Sequence, residues 1–164
     1  MSWAALIVGL VALERVIELF YAARNTRRLR ARGALEFGAA HYPLIVALHL
    51  CWLIAIIAAA PPHAAPNWPL IALYLLLQVG RAWVIVSLGA YWTTRIVSLP
   101  GAPLVQRGPY RFLRHPNYVV VAAEIAVLPL AFSEYAVALI FSALNLALLA
   151  WRIRVENTTL AARA

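Results

Sequence analysis

Apolar runs of membrane-spanning length set the first limit on this chain. The stretches 2–23 (SWAALIVGLVALERVIELFYAA), 42–60 (YPLIVALHLCWLIAIIAAA) and 68–90 (WPLIALYLLLQVGRAWVIVSLGA) are each long enough for the bilayer core, which takes roughly 20 residues at helical rise. A backbone in lipid must satisfy its own hydrogen bonds, so such runs are helices. Two further runs, VVVAAEIAVLPLAF and YAVALIFSALNLALLAWRI, are separated only by Ser133 and Glu134 and predict a helical hairpin. The first arm is short for a span, which calls for tilt, a kink at Pro129 or burial among the other helices. With 65% hydrophobic residues over 164 positions, the chain is an integral membrane protein with no room for a separate soluble domain. The expected fold is all-α, with about five transmembrane helices, a C-terminal helical hairpin and a cytoplasmic pocket. Residues 1–164 form one domain in this reading: 1–90 supply three N-terminal helices, and 91–164 a polar connector, the hairpin and the tail.

Charge gives the orientation. The formal net charge of +8 comes from arginines and glutamates alone. Basic residues flanking apolar runs are the signature of membrane orientation rather than of nucleic acid, so the expected partner is the lipid bilayer and no nucleic acid. Arg24, Arg27, Arg28, Arg30 and Arg32 follow the first run, Arg95, Arg107, Arg111 and Arg114 follow the third, and Arg152, Arg154 and Arg163 lie in the tail. The turns 61–67 and 132–135 have no arginine. This alternation predicts a multi-pass protein of the cytoplasmic membrane with its N-terminus outside and both basic loops and the C-terminus in the cytoplasm. The first run lacks a charged leader and small-residue cleavage site, so it is expected to be retained. Cys51 is the single cysteine and allows no intramolecular disulfide, and His41, His49, His63 and His115 are scattered without metal-ligand spacing.

Ionisable residues within spans are costly and face partners or cavities. At about 100° per residue, Glu14, Glu18, Tyr21 and Asn25 form one stripe, and Tyr74, Gln78 and Arg81 another. Two readings follow: a structural clamp of Arg81 against Glu14 or Glu18, or direct contact with a substrate. Glu124 shares a face with Asn117, and is either functional or structurally paired. In the last run Asn145, Arg152 and Glu156 fall within about 20° of one line, which is either a functional row or an interfacial i, i+4 ion pair.

The segment RGPYRFLRHPNY, residues 107 to 118, is the most polar stretch beside an apolar run. Gly108-Pro109 opens a turn, and Tyr110 suits the headgroup level. Pro116 restricts His115 away from the helical region and begins the hairpin with Asn117 and Tyr118 in its first turn. A helix start of this kind can hold a carboxylate or an oxygen-rich ligand; the segment also reads as an arginine-rich interfacial connector.

LVQRGPYRFLRHPNY, an apolar hairpin and then RIRVEN together resemble the isoprenylcysteine carboxyl methyltransferase family, integral membrane enzymes that use S-adenosylmethionine. Gly108, Tyr110, Arg114, His115, Pro116, Tyr118, Arg152 and Glu156 match its G-x-Y, R-H-P-x-Y and final R-x-x-x-E elements. Related phospholipid methyltransferases carry similar elements. The resemblance extends over nearly the whole chain to bacterial members associated with type III polyketide synthases, through ERVIEL, RARGALEFGAAHYP and HPNYVVVAAEIAVLPLAF. Val119, Val120 and Val121 stand where a glycine often follows the motif tyrosine, which puts prenylcysteine in question as acceptor. Asn157 stands where the pattern has a second acid, which weakens any role needing two carboxylates.

The resemblance implies a cofactor, S-adenosylmethionine, held by Gly108, Tyr110, Arg114, His115, Pro116, Asn117, Tyr118, Asn145 and Glu156. The chain has no G-x-G of a Rossmann-type site. It further implies catalysis by Arg152, Glu156 and His115. Arg152 positions the acceptor oxygen, Glu156 orients Arg152 or the cofactor, and His115 is a candidate base or a fixing point for its loop. The acceptor is a lipophilic small molecule methylated on a carboxylate, phenol or enol oxygen, such as an alkylresorcinol or alkylpyrone. Other readings are a phospholipid amine N-methyltransferase, or a small transporter or scaffold using Glu14 and Glu18 for proton coupling.

Overall fold

The computed structural model describes residues 2–63 and 65–161; Arg163 lies outside the described residues. Five α-helices make up most of the described chain: α1 (Trp3–Ala31), α2 (Tyr42–Ala59), α3 (Trp68–Leu88), α4 (Pro116–Leu130) and α5 (Tyr135–Ala161). Three segments, Ala39–Ala59, Trp68–Tyr91 and Tyr135–Thr159, are long and apolar enough to cross a membrane, and α4 is a shorter apolar helix. Large apolar side chains such as Phe20, Val79, Val86 and Leu139 point outward, as expected where the surroundings are hydrocarbon.

One boundary differs from the sequence expectation. The arginine-rich stretch after residue 23 is not a loop, because α1 continues through Arg24, Arg27, Arg28 and Arg30. Arginine is a good helix former, and nothing breaks the helix before Gly33, whose φ of 89° ends it. At the other end Ser2 caps α1 by accepting from the Ala5 N–H at 3.1 Å.

The hairpin forms as expected. Pro129 falls in the last turn of α4, so it ends the helix rather than kinking its middle. The chain reverses through Ser133 at φ 63°, and the Glu134 N–H donates to the Pro129 carbonyl at 3.0 Å. Of the options for this short arm the structure takes burial: Val121, Glu124, Ile125, Leu128 and Pro129 are all inside. Trp52 of α2 fixes α4 in place, its Nε1 donating to the Ile125 carbonyl at 3.2 Å. The two arginine-free turns meet at one end, where the Asn67 N–H donates to the Ala131 carbonyl at 2.7 Å.

At the opposite end a two-stranded antiparallel ribbon joins the segment after α1 to the polar connector. Its strands β1 (Leu35–Phe37) and β2 (Ile96–Ser98) pair Leu35 with Ser98 and Phe37 with Ile96. Glu36 accepts from Arg30 and, at 2.6 Å, from Arg95. Asn25, almost fully buried on α1, donates to the carbonyls of Gly89 and Trp92 at 3.1 and 3.0 Å. The start of the connector is thereby held against α1.

The intramembrane charges collect in one cluster. Arg81 grips Glu18 through Nε at 2.5 Å and Nη2 at 2.6 Å, and reaches Glu124 through Nη1 at 3.2 Å. Arg15 bridges the same two carboxylates at 3.1 Å each, and Gln78 donates to Glu124 at 3.1 Å. Of the two expected clamp partners it is Glu18 that pairs with Arg81; Glu14 sits beside Arg15 at 3.9 Å. Glu124 is structurally paired. Tyr21 departs from its stripe and faces outward at 38% exposure, while Glu18 and Asn25 are buried.

Candidate functional site

The connector reaches the hairpin through a set of locally determined turns. Gly108 has φ 58°, and a Cβ there would collide with Ser87 Oγ, so glycine lets the connector lie directly against α3. Arg107 fastens the same point, its Nε donating to the Ser87 carbonyl at 2.8 Å. Pro109 is buried within the 3-10 turn Gly108–Arg111. His115 takes a non-helical φ of −130° before Pro116, which starts α4. Tyr118 therefore emerges from the first turn of α4, toward the end of α5.

Tyr118 is the hub. Its hydroxyl donates to Glu156 Oε2 and accepts from Arg152 Nε at 2.7 Å. Arg152 Nη2 donates to the Thr94 carbonyl at 2.9 Å. Arg152 and Glu156 form no direct ion pair among the described residues; the phenol stands between them, so this is not a simple i, i+4 bridge. The His115 ring stacks on Tyr118 at 5.2 Å with an interplanar angle of 16°. Its Nε2 bonds Asn157 Oδ1 at 3.1 Å, and its Nδ1 lies 3.6 Å from Glu156. Asn157, where the family pattern has a second acid, is thus the partner of His115. Burial, with the negative Glu156 as a lesser cause, pushes the Tyr110 phenol above its usual range, so it is a neutral wall group at physiological pH.

Two cavities meet at this hub. The polar one, about 350 Å³, is bounded by Arg95, Ser98, Tyr110, Arg114, His115 and Glu156 together with apolar residues such as Leu104 and Leu113. The apolar one, about 310 Å³, lies among α1, α2, α4 and α5, lined by side chains such as Leu48, Leu53, Val121, Leu148 and Leu149. Both have the size of ordinary small-molecule sites. Their shared wall is Trp92, Thr93, Asn117, Tyr118 and Arg152. Val16 and Leu19 of α1 and Val46 and Leu50 of α2 line the apolar cavity; all four are also exposed on the outer surface.

The expected site residues divide cleanly. Tyr110, Arg114, His115, Asn117, Tyr118, Arg152 and Glu156 border the polar cavity. Gly108 and Pro116 shape the turns around it without lining it. Asn145 lies on the apolar cavity, one step removed from the polar residues it was grouped with. Trp92, Thr93, Thr94 and Asn157 were missed. Only Thr93 and Asn157 carry any local signal, as polar residues directly beside an aromatic or a motif position.

Several wall atoms have no partner. Trp92 Nε1, Asn117 Oδ1 and Asn145 Nδ2 are buried without a hydrogen bond, and Arg152 Nη1 makes none among the described residues. Buried polar atoms are normally satisfied; these four lie along the two cavities, and His41 Nδ1, Tyr74 Oη, Gln78 Oε1 and Ser142 Oγ are unpartnered elsewhere among the described residues.

Fold and site together define a small helical membrane protein in which a polar connector and the last two helices border a cavity that shares a wall with an apolar one inside the bundle. The chain belongs to the isoprenylcysteine carboxyl methyltransferase (ICMT) family, whose pattern it matches over residues 70–162, a span that includes most of α3, the connector and the hairpin. It is 38% identical over 164 residues to YpbQ of Bacillus subtilis (strain 168), an uncharacterized protein, with 98% of this chain and 96% of that one covered. It is 26% identical over 157 residues to an uncharacterized protein of Haemophilus influenzae, covering 89% and 88% of the two chains. No solved structure matches. Family membership points to a membrane methyltransferase.

Proposed function

We propose that this protein transfers a methyl group from S-adenosylmethionine to an oxygen of a lipophilic acceptor dissolved in the bilayer. The observation that carries the reading is the wall of Trp92, Thr93, Asn117, Tyr118 and Arg152 shared by a polar and an apolar cavity. A reaction between a water-soluble donor and a membrane-dissolved acceptor needs two such compartments with one common boundary.

The polar cavity suits the donor. Arg114 and Glu156 offer opposite charges to the two ends of an amino acid, His115, Asn117 and Tyr118 offer hydrogen bonds to ribose, and Leu104 and Leu113 offer apolar surface to adenine. The unpartnered Trp92 Nε1 and Asn117 Oδ1 fit the same ligand. When bound, the cofactor supplies an electrophilic methyl group on a sulfonium.

The chain's own residues align and exclude water. Arg152, with Nη1 uncommitted, holds the acceptor oxygen and stabilises its negative charge. Glu156 acts on Arg152 through the Tyr118 hydroxyl. Both ring nitrogens of His115 face side-chain partners, which favours a positioning role over that of base. The acceptor's chain enters from the bilayer between α1 and α2, and the polar cavity opens to the cytoplasm, the side on which arginines gather. A phenolic or enolic head, as in an alkylresorcinol or alkylpyrone, is the preferred acceptor; its hydroxyl proton passes to water of the polar cavity before transfer, so that Arg152 holds the anion and no side chain has to act as base.

The test is incubation of membranes containing the protein with methyl-labelled S-adenosylmethionine, followed by lipid extraction. Label in an O-methylated phenolic or pyrone lipid is the expected result. Label in a phospholipid amine would replace the acceptor, and absence of S-adenosylmethionine binding to purified protein would end the reading.

A further inference from the structure

Asn145 sits on α5 at 3% exposure with its Nδ2 unpartnered, and it borders only the apolar cavity. The lining of that cavity is largely apolar, with Leu48, Val121, Leu148 and Leu149 among its members, and the polar groups it also holds, such as Asn117, Tyr118 and Arg152, leave the Asn145 amide nitrogen without a partner. An unmatched amide in such a place costs about 1 to 3 kcal/mol, and no protein group among the described residues relieves it. A molecule that fills the cavity and carries an oxygen at this depth does.

The position of that oxygen follows from the helix. Asn145 and Arg152 are seven residues apart on nearly one line, so their Cα atoms are separated by about 10 Å along the axis. The long arginine side chain leans back toward the helix N-terminus, and its guanidinium is held there by Tyr118 and Thr94. The two donors therefore face points several ångströms apart, too far for the two oxygens of a single carboxylate and suited to two oxygens on different carbons of one head.

Resting on the methyltransferase reading, we propose that Asn145 is an acceptor-binding residue: its amide donates to a second oxygen of the lipid head while Arg152 holds the oxygen that is methylated. The site thus selects dioxygenated heads over heads with one oxygen.

The experiment compares two acceptors of equal chain length, an alkylated 1,3-dihydroxybenzene and the corresponding 3-alkylphenol, with purified protein and labelled S-adenosylmethionine. Wild type prefers the diol in kcat/KM. Asn145→Leu lowers that preference about tenfold or more, chiefly through KM for the diol, and leaves S-adenosylmethionine affinity unchanged. Asn145→Gln, which keeps the amide, restores part of the preference. Equal losses on both acceptors, a wild-type preference for the monophenol, or weakened donor binding in a folded Asn145→Leu protein overturns the proposal. Donor binding with transfer to neither head also overturns it while leaving the donor half of the proposed function intact; no donor binding at all removes both.

Discussion

Two clusters of charge lie inside this molecule, and they are built on opposite principles. In the cluster joining α1, α3 and α4, Arg15 and Arg81 meet Glu18 and Glu124 in a closed network in which each of the four holds at least two partners. In the cluster at the base of the hairpin, Arg152 and Glu156 share only the Tyr118 hydroxyl, and Arg152, Trp92 and Asn117 keep unused atoms directed at cavities. In the first, the four charges are matched within the protein, although Arg15, Glu18 and Arg81 also line the apolar cavity and Gln78 Oε1 beside them has no partner; in the second, the Arg152 guanidinium has no carboxylate of its own. A buried ion that is fully paired holds the helices together, and one left half-paired marks where another molecule belongs.

The largest effect is expected in the closed cluster. Arg81→Ala leaves Glu18 without its nearest cation and Glu124 with Arg15 alone, and breaking a buried pair from one side costs about 3 to 5 kcal/mol. Thermal unfolding in detergent should show a large loss of stability, with S-adenosylmethionine affinity preserved in the fraction that remains folded. Replacing Arg15, Arg81, Glu18 and Glu124 together by leucine should recover most of the loss, because all four members of the network are then gone and no buried charge is left uncompensated. If Arg81→Ala leaves the melting curve in place and abolishes methyl transfer, the cluster is part of the site and the contrast fails.

Arg152→Ala should behave in the reverse manner. The protein melts near the wild-type temperature and binds donor, but kcat/KM falls about 100- to 1,000-fold, the cost of one preorganised donor at a developing or resident oxyanion. Arg152→Lys does not restore activity, since a point ammonium cannot reach Tyr118, Thr94 and the acceptor together. Tyr118→Phe comes next: it removes the hydroxyl through which Glu156 reaches Arg152, and a loss of about 10- to 100-fold is expected from one charge-assisted bond. Steady-state kinetics on the labelled lipid product measures both.

The contrast between the clusters is only partly visible in the sequence, and the reason is range. The hairpin is legible because Ser133 and Glu134 interrupt two apolar runs locally, and the entry into α4 because Pro116 restricts His115 locally. The gathering of Arg152, Glu156 and His115 follows from motif spacing around that hairpin. The ribbon of Leu35–Phe37 with Ile96–Ser98 is not legible, since each strand is three residues long and its partner lies across α2 and α3. The extension of α1 through its arginines is not legible from hydropathy, because charge ends the apolar part of a helix and not the helix itself. Helical phase placed Asn145 on the correct line with Arg152, but phase carries no information about depth, and depth decides which cavity it borders.

A third ionic group sharpens the comparison with the smallest effect. Glu36 accepts from Arg30 and Arg95, one carboxylate between two guanidiniums, a charge pattern much like that of Glu18 between Arg15 and Arg81. The carboxylates are alike in burial, Glu36 at 11% and Glu18 at 10%, and the difference is in the cations: the side chains of Arg30 and Arg95 are 53% and 38% exposed, against 15% and 9% for Arg15 and Arg81. Water solvates the two exposed guanidiniums when their partner is removed, and salt screens them while it is present. Glu36→Gln should therefore lower stability by only about 1 kcal/mol or less, and that small cost should shrink further in high salt. Glu18→Gln, tested identically, should cost several times more and respond little to salt. Equal losses from the two substitutions would mean that burial of the cations is not what sets the strength of these clusters.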